Sequence, residues 1–170
     1  MASLPVRKAT LADVPEIVRI TNAAYQVEAF CIRGDRTSAQ EVMERMGAGA
    51  FLVLEDPNRP DHLLGSVFLS YPSLTRAYLG ILAVDPAAQG RGLARQLVEA
   101  VEQASRESGR AFLDLSVVNL RTELFPFYQR LGYAPYNTAA FPEPDKRLKP
   151  CHLVLLTKPL MPAEQLPAPR

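Results

Sequence analysis

The sequence predicts an α/β chain, α+β in layout. A mixed, mostly antiparallel central sheet of six or seven strands is flanked by about four helices. Three observations carry this. Strand-length apolar runs and helical repeats follow one another in the order β-α-α-β-β-β-α-β-α-(β)-β. Three strands stand together before the longest helix with turn residues between them, which suits antiparallel hairpins. A strand stands directly on each side of that helix, which calls for one parallel crossover.

Each element has a local reason. Leu4 to Lys8 alternates apolar and polar residues and reads as a first strand. Asp13 and Glu16 have N-cap and N3 spacing, with Pro15 in the first turn and Thr10 as an alternative cap. Val14, Ile17, Val18, Thr21, Ala24 and Tyr25 then repeat at helical spacing. Thr37 or Ser38 can cap a second helix from Ala39 to about Met46, which Gly47 and Gly49 stop. Ala50 to Leu54 and Leu63 to Ser70 read as strands about the Asp56-Pro57-Asn58 turn, and Tyr78 to Val84 as a third. Gly92 to Ser108 is the clearest helix. Leu93, Ala94, Leu97, Val98, Val101 and Ala104 form its apolar stripe, Glu102 and Arg106 stand on its other face, and Gly109 caps it. Ala111 to Val118 is a strand, Leu124 to Leu131 a short helix closed by Gly132, and His152 to Leu156 a last strand.

Composition narrows the function. The chain has 170 residues, 48% hydrophobic and 22% charged, enough to form the core of one domain. A net charge of +1 argues against a broad nucleic-acid surface. No apolar run approaches the roughly 20 residues that span a bilayer. Two cysteines, Cys31 and Cys151, cannot alone make a structural zinc site, and no metal site is expected. With no signal-like start, the expectation is a reduced cytoplasmic protein. Proline is in excess, 15 residues, and four of them (Pro159, Pro162, Pro167, Pro169) mark the last twelve residues as a non-helical, mobile tail.

The chemistry points to Ile81–Ala94. A strand ends at Val84, Asp85 and Pro86 break it, and Gln89, Gly90, Arg91, Gly92, Leu93 and Ala94 open the long helix. Glycines leave backbone amides uncovered, and the first N–H groups of a helix lack internal acceptors. Together they suit an anion, most naturally a phosphate or pyrophosphate, and Arg91 can add charge. A Walker loop needs Gly-Lys-Ser/Thr, whereas Leu93 and Ala94 follow Gly92. A dinucleotide fingerprint fits Gly90 and Gly92, but Arg95 takes its third position. A plain strand-to-helix turn also satisfies the two glycines.

The wider pattern is more specific. Val84-Asp85-Pro86 followed by Gln89, Gly92 and Ala94 resembles the acetyl-CoA loop of the GNAT superfamily of N-acyltransferases. Downstream, Asn119, Phe127-Tyr128 and Gly132-Tyr133 resemble its second signature, and the element order from Leu4 to Leu160 is similar too. The resemblance implies an acetyl-CoA-dependent N-acetyltransferase domain over residues 1–160, with 161–170 as the tail. A bulge would split the Tyr78–Val84 strand from its parallel neighbour, and the pantetheine arm would pair near Leu82 and Val84. Gln89, Gly90, Arg91, Gly92, Leu93 and Ala94 would hold the pyrophosphate. Asn119 would bond the arm, and Tyr128 would protonate the departing thiolate. Transfer would be direct, so neither cysteine is needed. The acceptor would be an amine of unknown identity: a metabolite, a peptide N-terminus or a lysine.

The resemblance has one departure. Tyr78 stands where some members carry a Glu base. Glu28, Glu123 and His152 are other candidates for the base, and His62 reads as solvated surface. The departure leaves an alternative, a catalytically silent CoA-binding regulatory domain. Family members are often homodimers. Two loops would border the acceptor, Ala29–Ser38 and Asn137–Pro150. Their Arg33, Arg36, Lys146, Arg147 and Lys149 would favour a carboxylate or phosphate on it.

Overall fold

The computed structural model describes residues 2–168. Its strands are β1 (Val6–Lys8), β2 (Ala50–Glu55), β3 (Leu63–Ser70), β4 (Arg76–Val84), β5 (Phe112–Val118), β6 (Ala134–Ala140) and β7 (His152–Pro159). Its helices are α1 (Val14–Ala24), α2 (Ala39–Ala48), α3 (Leu93–Glu107) and α4 (Leu124–Arg130). The seven strands form one sheet in the order β1-β2-β3-β4-β5-β7-β6. Every neighbouring pair is antiparallel except β4 with β5, the pair that the α3 crossover joins. This is the mixed, mostly antiparallel sheet that the sequence predicts.

Strand alternation sorts the core into two layers. Along β2, Phe51 and Val53 pack with Val14, Ile17 and Ile20 of α1 and Val42 of α2. Leu52 and Leu54 face the opposite layer, where Leu93, Leu97, Val98 and Val101 of α3 and Tyr128 of α4 are buried. Among the described residues no helix is long and apolar enough to cross a membrane.

Several elements differ from the sequence reading. Asp13 stands at the N-cap position of α1 as expected, but it makes no capping bond there, because its carboxylate is taken by the Arg7 guanidinium (2.8 and 2.9 Å) and the Thr10 N–H (2.7 Å); Thr10 opens the 3-10 turn Leu11–Asp13 just before it. Ser38 caps α2 by accepting from the Glu41 N–H at 3.3 Å. Gly92 lies outside α3 as its N-cap, with φ 76°. The expected Asn137–Pro150 loop begins as strand, up to Ala140. β6 runs to Ala140 as an edge paired only to β7, and its mostly exposed residues show no apolar alternation to betray it. β7 continues to Pro159, and the Leu160 N–H donates to the Ala111 carbonyl at 2.7 Å. The tail carries a 3-10 turn at Ala163–Gln165 rather than being wholly non-helical, while Pro169 and Arg170 fall outside the described residues.

Glu102 is a clearer correction. It is buried rather than on a solvent face. The Tyr133 hydroxyl donates to it at 2.9 Å, and the Lys158 ammonium donates at 3.0 and 3.1 Å. Residues distant in sequence are thereby tied to α3, and the charge is tolerated because it is paired and hydrogen-bonded.

Candidate active site

The centre of the sheet is split. β4 and β5 pair only at Arg76–Phe112, Ala77–Leu113 and Tyr78–Asp114, so Leu79 to Val84 have no partner on β5. A bulge accompanies the split. β3 moves two residues, from Ser66 to Phe68, while β4 moves three, from Ala83 to Gly80. Ile81 sits in the bulge at φ 47°, a left-handed conformation that disfavours a β-branched residue. Such a residue costs about 1–3 kcal/mol and persists only where its surroundings over-determine it. Leu82 is half-buried and Val84 buried in this stretch. The Val84 carbonyl already accepts from the Gln89 side chain at 3.3 Å.

The loop beyond Val84 is held at one end and open at the other. Asp85 accepts from the Ala87 N–H at 3.0 Å and from Arg19 at 2.9 Å. Burial alone would raise its carboxyl, but the Ala87 amide, Arg19 and His62 outweigh that and hold it below the usual range. His62 is thus not free surface. It lies between Glu16 (3.2 Å) and Asp85 (3.5 Å) with its side chain 17% exposed. At the open end, Gly90 and Gly92 take φ of 80° and 76°, and nothing stands within 4 Å of where a Cβ would be. No side chain caps α3. Its first internal bond is Gln96 N–H to the Gly92 carbonyl, so the amides of Leu93, Ala94 and Arg95 have no helical acceptor. Gln89, Arg91 and Gly92 are exposed, and Leu93 points into the core.

The second cluster lies around Tyr128. This residue is buried, with its ring edge-on to Phe127 (5.0 Å) and Tyr133 (5.8 Å). Its hydroxyl has no hydrogen-bond partner among the described residues, yet it is not sealed from solvent. Burial pushes its phenol well up, the neighbouring Tyr25 and Tyr78 add to that, and Arg121 opposes it. The group therefore holds its proton at neutral pH. Tyr78 reaches Ser116 of β5 at 3.4 Å between the oxygens. Asn119 ties the end of β5 to the start of β7. Its side-chain oxygen accepts from the His152 N–H at 2.9 Å, and its own N–H donates to the His152 carbonyl.

The base candidates separate by burial. His152 and Glu123 are exposed. Glu28, at the end of the 3-10 turn Tyr25–Glu28, is buried and ion-paired to Arg121 at 2.9 Å through Oε1. Among the described residues its Oε2 has no partner. Desolvation raises its carboxyl, and Arg121 and Arg36 only partly offset this. Arg121 escapes the sequence reading because a lone arginine in a turn carries no pattern. The two expected acceptor loops meet: Arg33 N–H donates to the Lys146 carbonyl and Leu148 N–H to the Cys31 carbonyl, both at 2.8 Å. Beside them is a cavity of about 380 Å³ lined by Asn22, Tyr25, Arg33, Asp35, Arg36 and Leu148, among others. A larger recess, about 550 Å³, lies against α2 and the end of β3 and shares no lining residue with it. Cys31 and Cys151 are buried free thiols packed with Val118, and burial pushes the Cys31 thiol up, away from nucleophilic use.

Comparison with known proteins agrees with this geometry. The acetyltransferase (GNAT) domain matches residues 47–135. A mycothiol acetyltransferase of Gordonia bronchialis is 34% identical over 131 residues, covering 74% of this chain and 41% of the relative. The chain thus spans less than half the length of such curated relatives. Among solved structures, a GNAT family acetyltransferase of Elizabethkingia anophelis with acetyl-CoA bound superposes with a TM-score of 0.69 at 16% identity, covering 94% of this chain and 99% of that one. The ribosomal-protein-S18-alanine N-acetyltransferase of Escherichia coli gives 0.70 at 22%, covering 96% and 99%. The bulged and split sheet, the uncapped glycine loop and the domain match have one common reading: this chain belongs to the GNAT acetyltransferase family.

Proposed function

We propose that the chain transfers an acetyl group from acetyl-CoA to a primary amine by direct attack, within a transferase unit of residues 1–160 in a reducing cytoplasm. The observation that carries the reading is the split between β4 and β5, opening beside the uncapped start of α3. An amide-bearing arm can use the strand groups that lack a partner near Leu82 and Val84. A pyrophosphate can use the free amides from Gly90 to Ala94, with Gln89 and Arg91 at its margin. Neither contact needs a strongly basic face, which agrees with the +1 net charge. The Asn119 amide NH₂, which has no partner among the described residues, can bond the arm.

In the reaction, the amine nitrogen forms a bond to the thioester carbon, the carbonyl oxygen takes up negative charge, and the C–S bond then breaks. Tyr128 gives its proton to the departing thiolate. The nitrogen loses two protons overall: one restores Tyr128 and one is released. No acyl-enzyme forms.

Calorimetry with acetyl-CoA and free-thiol release across an amine panel test the reading. Tight binding together with amine-dependent thiol release is expected. Tyr128→Phe should lower kcat by roughly 10²-fold or more while acetyl-CoA affinity holds, as for loss of a positioned acid. Acetyl-CoA binding without acceleration by any primary amine would refute it.

A further inference from the structure

The cavity beside the acceptor loops carries a cation on its wall and has a buried acid close by. At its wall, Arg36 is held in place twice. Its N–H donates to Asn22 Oδ1 of α1 at 2.9 Å, and its guanidinium stacks on the Tyr25 ring 5.2 Å from the centroid. Asn22 also fixes the next residue, accepting from the Thr37 N–H and donating to its carbonyl. Arg36 makes no ion pair among the described residues, so a rigidly presented cation faces the cavity unneutralised. Arg33 flanks it, spending one N–H on the Asp145 carbonyl at 2.7 Å, and Asp35 is the one acid on that wall. Glu28 is not one of the lining residues; it is buried three residues beyond Tyr25, at the end of the same 3-10 turn, with Oε1 on Arg121 and within reach of the Arg36 charge. Tyr25 lies between and feels both charges.

We propose that the acceptor is a zwitterionic amine, whose ammonium is received and deprotonated by Glu28 and whose acid group is held by Arg36. The inference rests on the acetyl-transfer reading and assigns its missing base. One ammonium proton passes to the Glu28 carboxylate and from there to water, and the freed lone pair forms the C–N bond. The second nitrogen proton leaves as the amide forms and replaces the one that Tyr128 gives to sulfur. A carboxylate and a phosphate would both satisfy Arg36, whose planar fork suits either. The charged and titratable groups facing Glu28 are Arg121, Arg36, Glu123, Tyr25 and Cys31.

The test uses acceptor pairs of equal carbon chain that differ in the acid group, with rates corrected for the fraction of free amine. These are 4-aminobutanoate against butylamine, 3-aminopropanoate against propylamine, and ethanolamine phosphate against ethanolamine. The acid-bearing member should have the higher kcat/KM by about tenfold or more, the effect of one charged hydrogen-bonded contact. Arg36→Met should bring that ratio close to one. Glu28→Gln should lower kcat for both members and flatten the acid limb of the pH profile, while acetyl-CoA affinity holds. Equal rates within all pairs, or a ratio that survives Arg36→Met, overturns the anion contact. An unchanged acid limb in Glu28→Gln overturns the base. If acetyl-CoA binds and no amine releases thiol, the acetyl-transfer reading itself falls, and this inference with it.

Discussion

Gly92 allows the cofactor loop to be tested apart from folding. Its φ of 76° is strained for any L side chain, but the space beside it is open, so a Cβ meets no clash. Gly92→Ala should therefore cost only the left-handed conformation, about 1–2 kcal/mol, or roughly 2–4 °C in Tm per kcal/mol. Gly92→Glu carries the same backbone cost. Its carboxylate lies at the positive end of α3, which returns about 0.3–1 kcal/mol. The Glu variant should thus melt no lower than the Ala variant. Affinity should run the other way. A carboxylate about 6 Å from one phosphate charge repels it by about 1.4 kcal/mol at an effective dielectric near 40. Two such charges, with salt screening, give about 2–3 kcal/mol, or roughly 30- to 150-fold weaker binding. Calorimetry with acetyl-CoA and thermal melting of both variants read the two quantities separately. Equal acetyl-CoA affinity in the Glu and Ala variants would refute the pyrophosphate site at this helix start.

Three further outcomes follow from the packing. Tyr133→Phe removes one of the bonds on buried Glu102 but leaves Lys158, so urea unfolding should show a loss of about 1–2 kcal/mol with kcat nearly unchanged. A large fall in kcat at unchanged stability would instead make Tyr133 part of the chemistry. Asp13, Glu16 and Asp85 all have carboxyls held below the usual range, so each adds stability that is full above the ordinary carboxylate range and is lost as pH falls through the lower folded values. Asp85→Asn should accordingly make unfolding less steeply acid-dependent between about pH 4 and 2, and an unaltered slope would count against the Arg19–Asp85–His62 cluster. Arg121→Met strips Glu28 of its nearest cation; it should move the acid limb of the activity profile upward in pH, and a limb that stays put would show that the pair does not govern it.

What is legible in the sequence is whatever local rules fix. Gly90 and Gly92 announce themselves because only glycine takes their backbone angles cheaply, and the stripe of α3 because burial imposes its period. What stays hidden depends on partners far along the chain. Glu102 looks solvated because its ligands lie 31 and 56 residues away. His62 looks like a turn residue until α1 brings Glu16 and Arg19 beside it. Ile81 carries no sign of its positive φ, since tertiary packing imposes that angle against its own preference. β6 is legible only as an optional strand without bounds, because a mostly exposed edge strand lacks the alternation that marks the others. In the candidate site, the loop is readable from its glycines and Tyr128 only through the family resemblance, whereas Arg121 and the Asn22–Arg36 clamp are not readable at all.

The split sheet also has a mechanical meaning. Between β1–β4 and β5–β7 the continuous ladder is reduced to three residue pairs at one end of the gap. There Arg76 spans the two strands with a two-pronged grip on Asp114, 2.6 and 2.9 Å, and lies over Phe112. The molecule is built like a clothes peg, with this arginine as its pivot and open jaws where the strands part. A ligand whose amides enter the jaws becomes an eighth strand supplied from outside, and it completes a sheet that the polypeptide alone leaves unfinished. If the cosubstrate is that ligand, as proposed, occupancy of the gap should stiffen both halves at once.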